Sequence, residues 1–217
     1  MSNLADTSSH HALYKDLECG LTLLNIDINH IVKSKLVDYL EFIEKWNRVH
    51  NLTAIRDPKL MVSTHLLDSL SVIPHLPKGT LLDVGTGAGM PGIPLALTNP
   101  DLQITLIESS QKRVAFLRQV ASELQISNVK IVCEKVEMWM PMERFACIIS
   151  RAFAELSKFV ASSGHLLAED GIFAAMKGRF PQAEIESLPA GYRVTKILEL
   201  IVPGLNAERH LILIGRA

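Results

Sequence analysis

The residues of this sequence best suited to chemistry surround one turn: Asp83, Gly85, Gly87, Gly89 and Glu108. The first four lie in "LLDVGTGAGMPGIPLAL", residues 81–97, which also holds Gly92. Glycine costs backbone entropy in any regular element, so a cluster of it marks a main chain that something approaches closely. Exposed N–H groups at a helix start bind polar ligand groups. An acidic residue about 20 positions further on, at the end of the next strand, accepts hydrogen bonds from ribose hydroxyls. Glu108 stands 23 residues past Gly85. The chemistry implied is the binding of a nucleoside cofactor.

Such a site needs a strand before the turn and a helix after it. "TLLDV", "QITLIE", "VKIVCE", "FACIIS" and "GIFAAMK" are short, apolar and partly β-branched. They alternate with helical windows at Gly92–Leu97, Gln111–Leu124 and Glu155–Leu167, which predicts βαβ units and a parallel, doubly wound α/β sheet. Two final runs, "YRVTKILELIVP" and "RHLILIGRA", are joined only by "GLNAE" and predict an antiparallel hairpin closing that sheet. Residues 1–75 read as a helical N-terminal cap, part of the same unit, and 76–217 as the catalytic domain. Within the cap, Val32, Leu36, Leu40, Ile43 and Trp46 form the stripe of an amphipathic helix. A second helix is expected over Pro58–Val72, with proline in its first turn.

The totals narrow the classes. Among 217 residues, 48% are hydrophobic, enough for a sizeable core. Lys and Arg number 22 against 23 Asp and Glu, so no global field draws in polyanions, and an RNA partner requires basic residues gathered on one face. Three cysteines, Cys19, Cys133 and Cys147, make no C-x-x-C, which argues against a disulfide framework or zinc site and for a reducing compartment. The first 20 residues lack a secretory pattern and no apolar run is long enough to span a membrane, so a cytoplasmic, soluble monomer is expected. No His, Cys, Asp or Glu cluster has metal-ligand spacing.

The glycine loop reads in two frames. "GAGMPG" matches the G-x-G-x-x-G dinucleotide fingerprint, which leaves a nicotinamide-dependent oxidoreductase open. The frame Gly85-x-Gly87-x-Gly89 preceded by Asp83 resembles the first motif of class I S-adenosyl-L-methionine-dependent methyltransferases, and the C-terminal hairpin resembles that superfamily's reversed last strand. A non-catalytic nucleoside- or RNA-binding module is a third possibility. "NLTAIRDP", "HLLDSL", "LLDVGTGAGMPGIPLAL", "KRVAFLRQV", "ISRAFA" and "ERHLILI" together resemble the RsmG (GidB) family of bacterial 16S ribosomal RNA methyltransferases, in order, from about residue 30 onward.

That resemblance implies a Rossmann-like class I fold, S-adenosyl-L-methionine as cofactor, and methylation of N7 of a guanine in the decoding region of 16S rRNA. The substrate is then naked rRNA, an assembly intermediate or the 30S subunit. It places cofactor contacts at Gly85 and Met90, adenine-flanking contacts at Val136 and Glu137, and Arg151 near both cofactor and target. The residues themselves put Glu134, Val136, Glu137 and Arg151 just past strand carboxyl ends, where such sheets bind ligands. "VEMWM" also reads as the first turn of a short helix, with Glu137 favoured there by the dipole.

Guanine N7 carries a lone pair and no hydrogen, so it attacks a methyl group without a general base. No strict catalytic residue is expected; Arg151 is the candidate, as a phosphate clamp, a stacking partner or a structural ion pair. His65 and Asp68, three apart on one helix face, either border the cleft or bond the cap to the sheet. Arg209 and His210 begin the last strand. Further basic residues gather by segment: Lys33, Lys35, Lys45, Arg48, Arg56 and Lys59 in the cap, Lys112, Arg113 and Arg118 after Glu108, and Lys177 and Arg179 after the fifth strand.

Overall fold

The computed structural model describes residues 3–151, 153 and 155–217, and the side chains from residue 10 onward. Residues 1 and 2 of the expected cap, and Ala152 and Ala154 of "ISRAFA", lie outside the described residues.

Three helical segments come first. α1 (Asn3–Leu23) buries Leu13, Leu17 and Leu21, spaced by four. α2 (His30–His50) starts at Asn29, whose side chain accepts from the Val32 N–H, and ends at Asn51 in the left-handed region. It buries Leu36, Leu40 and Ile43 of the predicted stripe. α3 (Pro58–Met61) is capped by Asp57 and has proline in its first turn, where a missing N–H costs nothing. The rod continues as a π-helical segment (Val62–Leu67) and then α4 (Asp68–Leu70). The single α-helix expected over 58–72 is therefore interrupted by a wider turn. There the Thr64 hydroxyl donates to the Leu60 carbonyl and Ser69 to the His65 carbonyl, and the extra residue per turn re-aims Asp68 and its neighbours.

The remainder alternates strand and helix. β1 (Thr80–Val84), α5 (Gly92–Thr98), β2 (Gln103–Ile107), α6 (Gln111–Glu123), β3 (Val129–Val132) and β4 (Phe145–Arg151) are followed by α7 (Leu156–Ser163), β5 (Leu167–Lys177), α8 (Gln182–Glu186), β6 (Tyr192–Glu199) and β7 (His210–Arg216). The helix expected over 155–167 stops at Ser163, and β5 begins four residues before "GIFAAMK". An irregular register between Phe145 and Cys147 of β4 absorbs the longer strand. "VEMWM" forms one turn and no helix.

The seven strands run in the order β3-β2-β1-β4-β5-β7-β6. β1 to β5 pair in parallel, and β7 inserts antiparallel between β5 and β6, as the hairpin pattern predicts. Because side chains alternate across a strand, the sheet feeds two core layers. Leu81, Ile104, Leu106, Ile149 and Leu213 pack with α1, α2 and the π segment in one continuous cluster. Leu82, Val84, Ile148, Phe173 and Ile214 pack with Leu156, Phe159 and Val160 of α7 in the other. Among the described residues, no helix is long and apolar enough to cross a membrane.

Candidate functional site

The strand order reverses at β1, which separates β2 and β3 on one side from β4 and β5 on the other, and ligands bind at such switch points. The chain leaves β1 at Asp83 and Val84 and turns through the four glycines. Their roles divide. Gly85 and Gly87 take φ of 65° and 62°, a region that disfavours side chains, and a Cβ on Gly85 would meet nothing within 4 Å. A Cβ on Gly92 would strike Leu106 and come within 2.8 Å of the Asp83 carboxylate. One on Gly89 would lie 2.5 Å from Ile93. Gly89 and Gly92 thus let the loop pack on the sheet, while Gly85 and Gly87 leave open space above it.

Asp83 is fully buried. Its Oδ2 accepts from the Thr86 hydroxyl at 2.6 Å and the Gly92 N–H at 2.9 Å, which fixes the start of α5. Its Oδ1 is buried with no partner among the described residues. Burial pushes the carboxyl up to about 6 despite those two donors. An acceptor left open beneath bare backbone fits a ligand that brings its own N–H donor.

Glu108 is 5% exposed and organises the second side of the turn. It accepts from the Gly87 N–H at 3.1 Å, the Ser110 N–H at 2.9 Å and Arg113 at 3.4 Å. A cleft of about 540 Å³ brings together Gly85, Glu108, Glu134, Val136 and Glu137, with Phe153 opposite. Val136 is buried in its wall, and Glu134 and Glu137 are exposed at its rim. Lys177 braces that wall by donating to the Phe153 carbonyl at 3.0 Å and to Glu184 at 2.6 Å.

Met90 and Arg151 sit together beyond the cleft, with Arg151 Nη2 3.2 Å from Met90 Sδ. Arg151 Nη1 donates to the Thr64 carbonyl at 2.8 Å and to Asp68 at 3.2 Å. Asp68 also accepts from Arg209 Nε at 2.9 Å. Of the two roles open to Asp68, the structure shows it bonding the helical segment to the sheet. His65 is 3% exposed, contacts the Thr53 hydroxyl through Nε2 at 3.2 Å, and leaves Nδ1 unpartnered among the described residues. Burial, and then the Arg151 charge, push it down to about 4, so it is neutral near pH 7.

Sequence reasoning missed Tyr39 and Thr86. Tyr39, fully buried, donates a 2.6 Å hydrogen bond to the Ala88 carbonyl inside the glycine turn. Its only sequence signal is a polar-tipped aromatic one position off the α2 stripe. Several basic residues are engaged internally: Lys33 pairs with Glu18, Arg48 with Glu44, Arg56 bonds Asn51, and Lys112 bonds the His50 carbonyl. Lys45, Lys59, Arg118 and Arg179 are exposed and Lys35 is half-buried. A second cleft, about 710 Å³, opens where β5 and β6 end, beside the connection into β7, and is lined by Arg179 and Arg209 together with Glu199, Asn206 and Glu208. Beside it, Phe180, 45% exposed, meets the His210 ring edge-to-face at 5.7 Å. Cys19 and Cys133 are exposed and unbridged; Cys147 is buried, which pushes its thiol up to about 12.

Residues 32–212 match the family model described as "rRNA small subunit methyltransferase G" (GidB). A protein of Methylobacillus flagellatus named ribosomal RNA small subunit methyltransferase G is 52% identical over 200 residues, 92% of this chain and 97% of that protein. One of the same name from Chromobacterium violaceum is 50% identical over 198 residues, 91% of this chain and 95% of that one. Among solved structures, a SAM-dependent methyltransferase from Aquifex aeolicus aligns with a TM-score of 0.57 at 19% identity, over 76% of this chain and 96% of that one. The glycopeptide N-methyltransferase MtfA, complexed with S-adenosyl-L-homocysteine, gives 0.58 at 14% identity, over 70% of this chain and 87% of that one. These two likenesses show the class I methyltransferase fold.

Proposed function

This chain belongs to the GidB family of rRNA small subunit methyltransferases, and on that footing we propose that it methylates N7 of a guanine in 16S ribosomal RNA. The membership decides between the two frames of the glycine loop: the cofactor is S-adenosyl-L-methionine rather than a dinucleotide. When bound, that cofactor supplies a methyl group on a cationic sulfur.

One observation carries the assignment of the site: the open main chain at Gly85 and Gly87 between two buried carboxylates. Asp83 Oδ1 is suited to receive a donor from the ligand's amino-acid end. Glu108, already holding the Gly87 N–H, stands where ribose hydroxyls are read. Val136 and Glu137 supply an apolar wall and a polar rim for the adenine. The contact of Met90 with Arg151 beyond the cleft supports an approach of the target base from that side.

Because N7 bears no hydrogen, no residue need take a proton. The protein's contribution is alignment, which reaches about 7–11 kcal/mol when reacting groups are held in line. Duplex RNA hides that edge of guanine, so the base must be unpaired or extruded. The cleft beside Arg179 and Arg209, at the same end of the sheet, offers the path for the strand. The setting is the cytoplasm, where three unbridged cysteines are stable and ribosomal subunits form.

The test is transfer of label from methyl-labelled S-adenosyl-L-methionine to small subunits, and to naked 16S rRNA, from cells lacking the protein. Incorporation into either supports the reading. Failure on both, with a protein that binds S-adenosyl-L-homocysteine, refutes it.

A further inference from the structure

We propose that Asp68 is a positioning residue for the methyl transfer, its one carboxylate aligning Arg151 on the cofactor side and Arg209 on the RNA side. The proposal rests on the reading of this chain as an rRNA guanine-N7 methyltransferase.

Asp68 is 2% exposed and spends each oxygen on a different arginine: Oδ2 on Arg151 at 3.2 Å, Oδ1 on Arg209 at 2.9 Å. Arg151 ends β4 and Arg209 immediately precedes β7, two strands separated by β5. Arg151 pairs with Met176 and His210 pairs with Lys177, so the end of β4 and the start of β7 lie at the same end of the sheet. The π segment, whose wider turn precedes Asp68, brings the carboxylate over that end. Arg151 is then held by three contacts, to Asp68, the Thr64 carbonyl and Met90 Sδ. Arg209 lines the second cleft, and among the described residues its Nη2 makes no hydrogen bond.

Two guanidiniums share the one Asp68 carboxylate, which leaves the trio itself one positive charge, beside a cleft that Glu199 and Glu208 also line. That charge suits the O6 acceptor beside N7, and the RNA phosphates. The balance matters in the reaction: as N7 bonds to the methyl carbon the carbon–sulfur bond breaks and neutral S-adenosyl-L-homocysteine leaves, so the positive charge passes from the sulfur to the base. Asp68→Asn leaves two uncompensated cations facing a base that is becoming cationic. The penalty grows toward the transition state, so it falls on kcat more than on binding.

The experiment compares full-length wild type, Asp68→Asn, Asp68→Glu and Arg209→Lys in methylation of unmodified small subunits, with calorimetry of S-adenosyl-L-homocysteine. Asp68→Asn is expected to lower kcat about tenfold or more while the S-adenosyl-L-homocysteine Kd stays within about threefold. Asp68→Glu, which restores the charge, is expected to recover part of kcat. The role is overturned if Asp68→Asn keeps kcat within about twofold, if Asp68→Glu is no better, or if cofactor affinity falls as much as kcat. Should Asp68→Asn not fold, Arg209→Lys decides: lower kcat at unchanged cofactor Kd supports the role, and unchanged kcat overturns it. Wild type that binds cofactor but methylates no RNA overturns the rRNA reading instead, separately from this one.

Discussion

The Tyr39 hydroxyl and the Ala88 carbonyl are joined by a 2.6 Å hydrogen bond buried between α2 and the glycine turn, across 49 residues of sequence. The N-terminal helices therefore do more than cover the sheet; they hold the turn from outside. Tyr39→Phe leaves the carbonyl buried and unpaired, which costs about 1–3 kcal/mol. Urea denaturation should show that loss, and calorimetry a several-fold weaker affinity for S-adenosyl-L-homocysteine. Unchanged affinity would mean that the turn holds its shape without α2.

The two kinds of glycine in the turn separate under substitution. Gly85→Ala places a methyl group in open space at positive φ, with strain of about 1 kcal/mol. Thermal melting should shift by only a few degrees, while cofactor binding is lost or severely weakened. Gly92→Ala drives its methyl into Leu106 and the Asp83 carboxylate, so stability should fall by about 1–3 kcal/mol and melting by more than in Gly85→Ala. Equal effects of the two on melting would contradict this division.

His65 and Asp83 act on stability in opposite senses over one pH range. Burial lowers His65 from 6.5 to about 4, so the unfolded chain takes its proton first and stability is lost as pH falls from 6.5 toward 4. Burial raises Asp83 from 3.8 to about 6, so the native state holds its proton longer and stability is lost as pH rises from 3.8 through 6. Each effect is on the order of 3 kcal/mol, and together they nearly cancel. His65→Gln removes one arm. Relative to wild type, the variant should gain stability between pH 6.5 and 4.5 in urea titrations. Parallel curves would show that His65 is not held neutral by burial.

Arg179 and Phe180 test the second cleft. Arg179→Ala should raise the KM for small subunits and flatten its dependence on salt, since one phosphate contact fewer releases fewer counterions. Phe180→Ala should raise KM with a smaller change in salt slope, because an aromatic face stacks on bases. Neither should change the affinity for S-adenosyl-L-homocysteine. An unaltered KM in both would place the RNA path elsewhere.

Much of this architecture can be read from the residues in order, and the reason is locality. The strand, the glycine turn and Glu108 fall within 29 residues, Thr80 to Glu108, and strand–turn–helix chemistry is written in near neighbours. The closing hairpin is legible for the same reason. The Arg151–Asp68–Arg209 cluster is not, because Asp68 lies 83 and 141 positions from its partners and meets them only through the sheet order. Nor is the π segment, since "VSTHLL" carries the residues of an ordinary helix. The four glycines look alike in sequence; only the backbone shows which two face a ligand and which two face the core.

The most direct test of the central claim is nucleoside mass mapping of 16S rRNA after reaction of undermethylated small subunits with the protein and S-adenosyl-L-methionine. Wild type should form a single new 7-methylguanosine, and Gly85→Ala should not. A methyl group on any other atom, or one formed undiminished by Gly85→Ala, would contradict that claim.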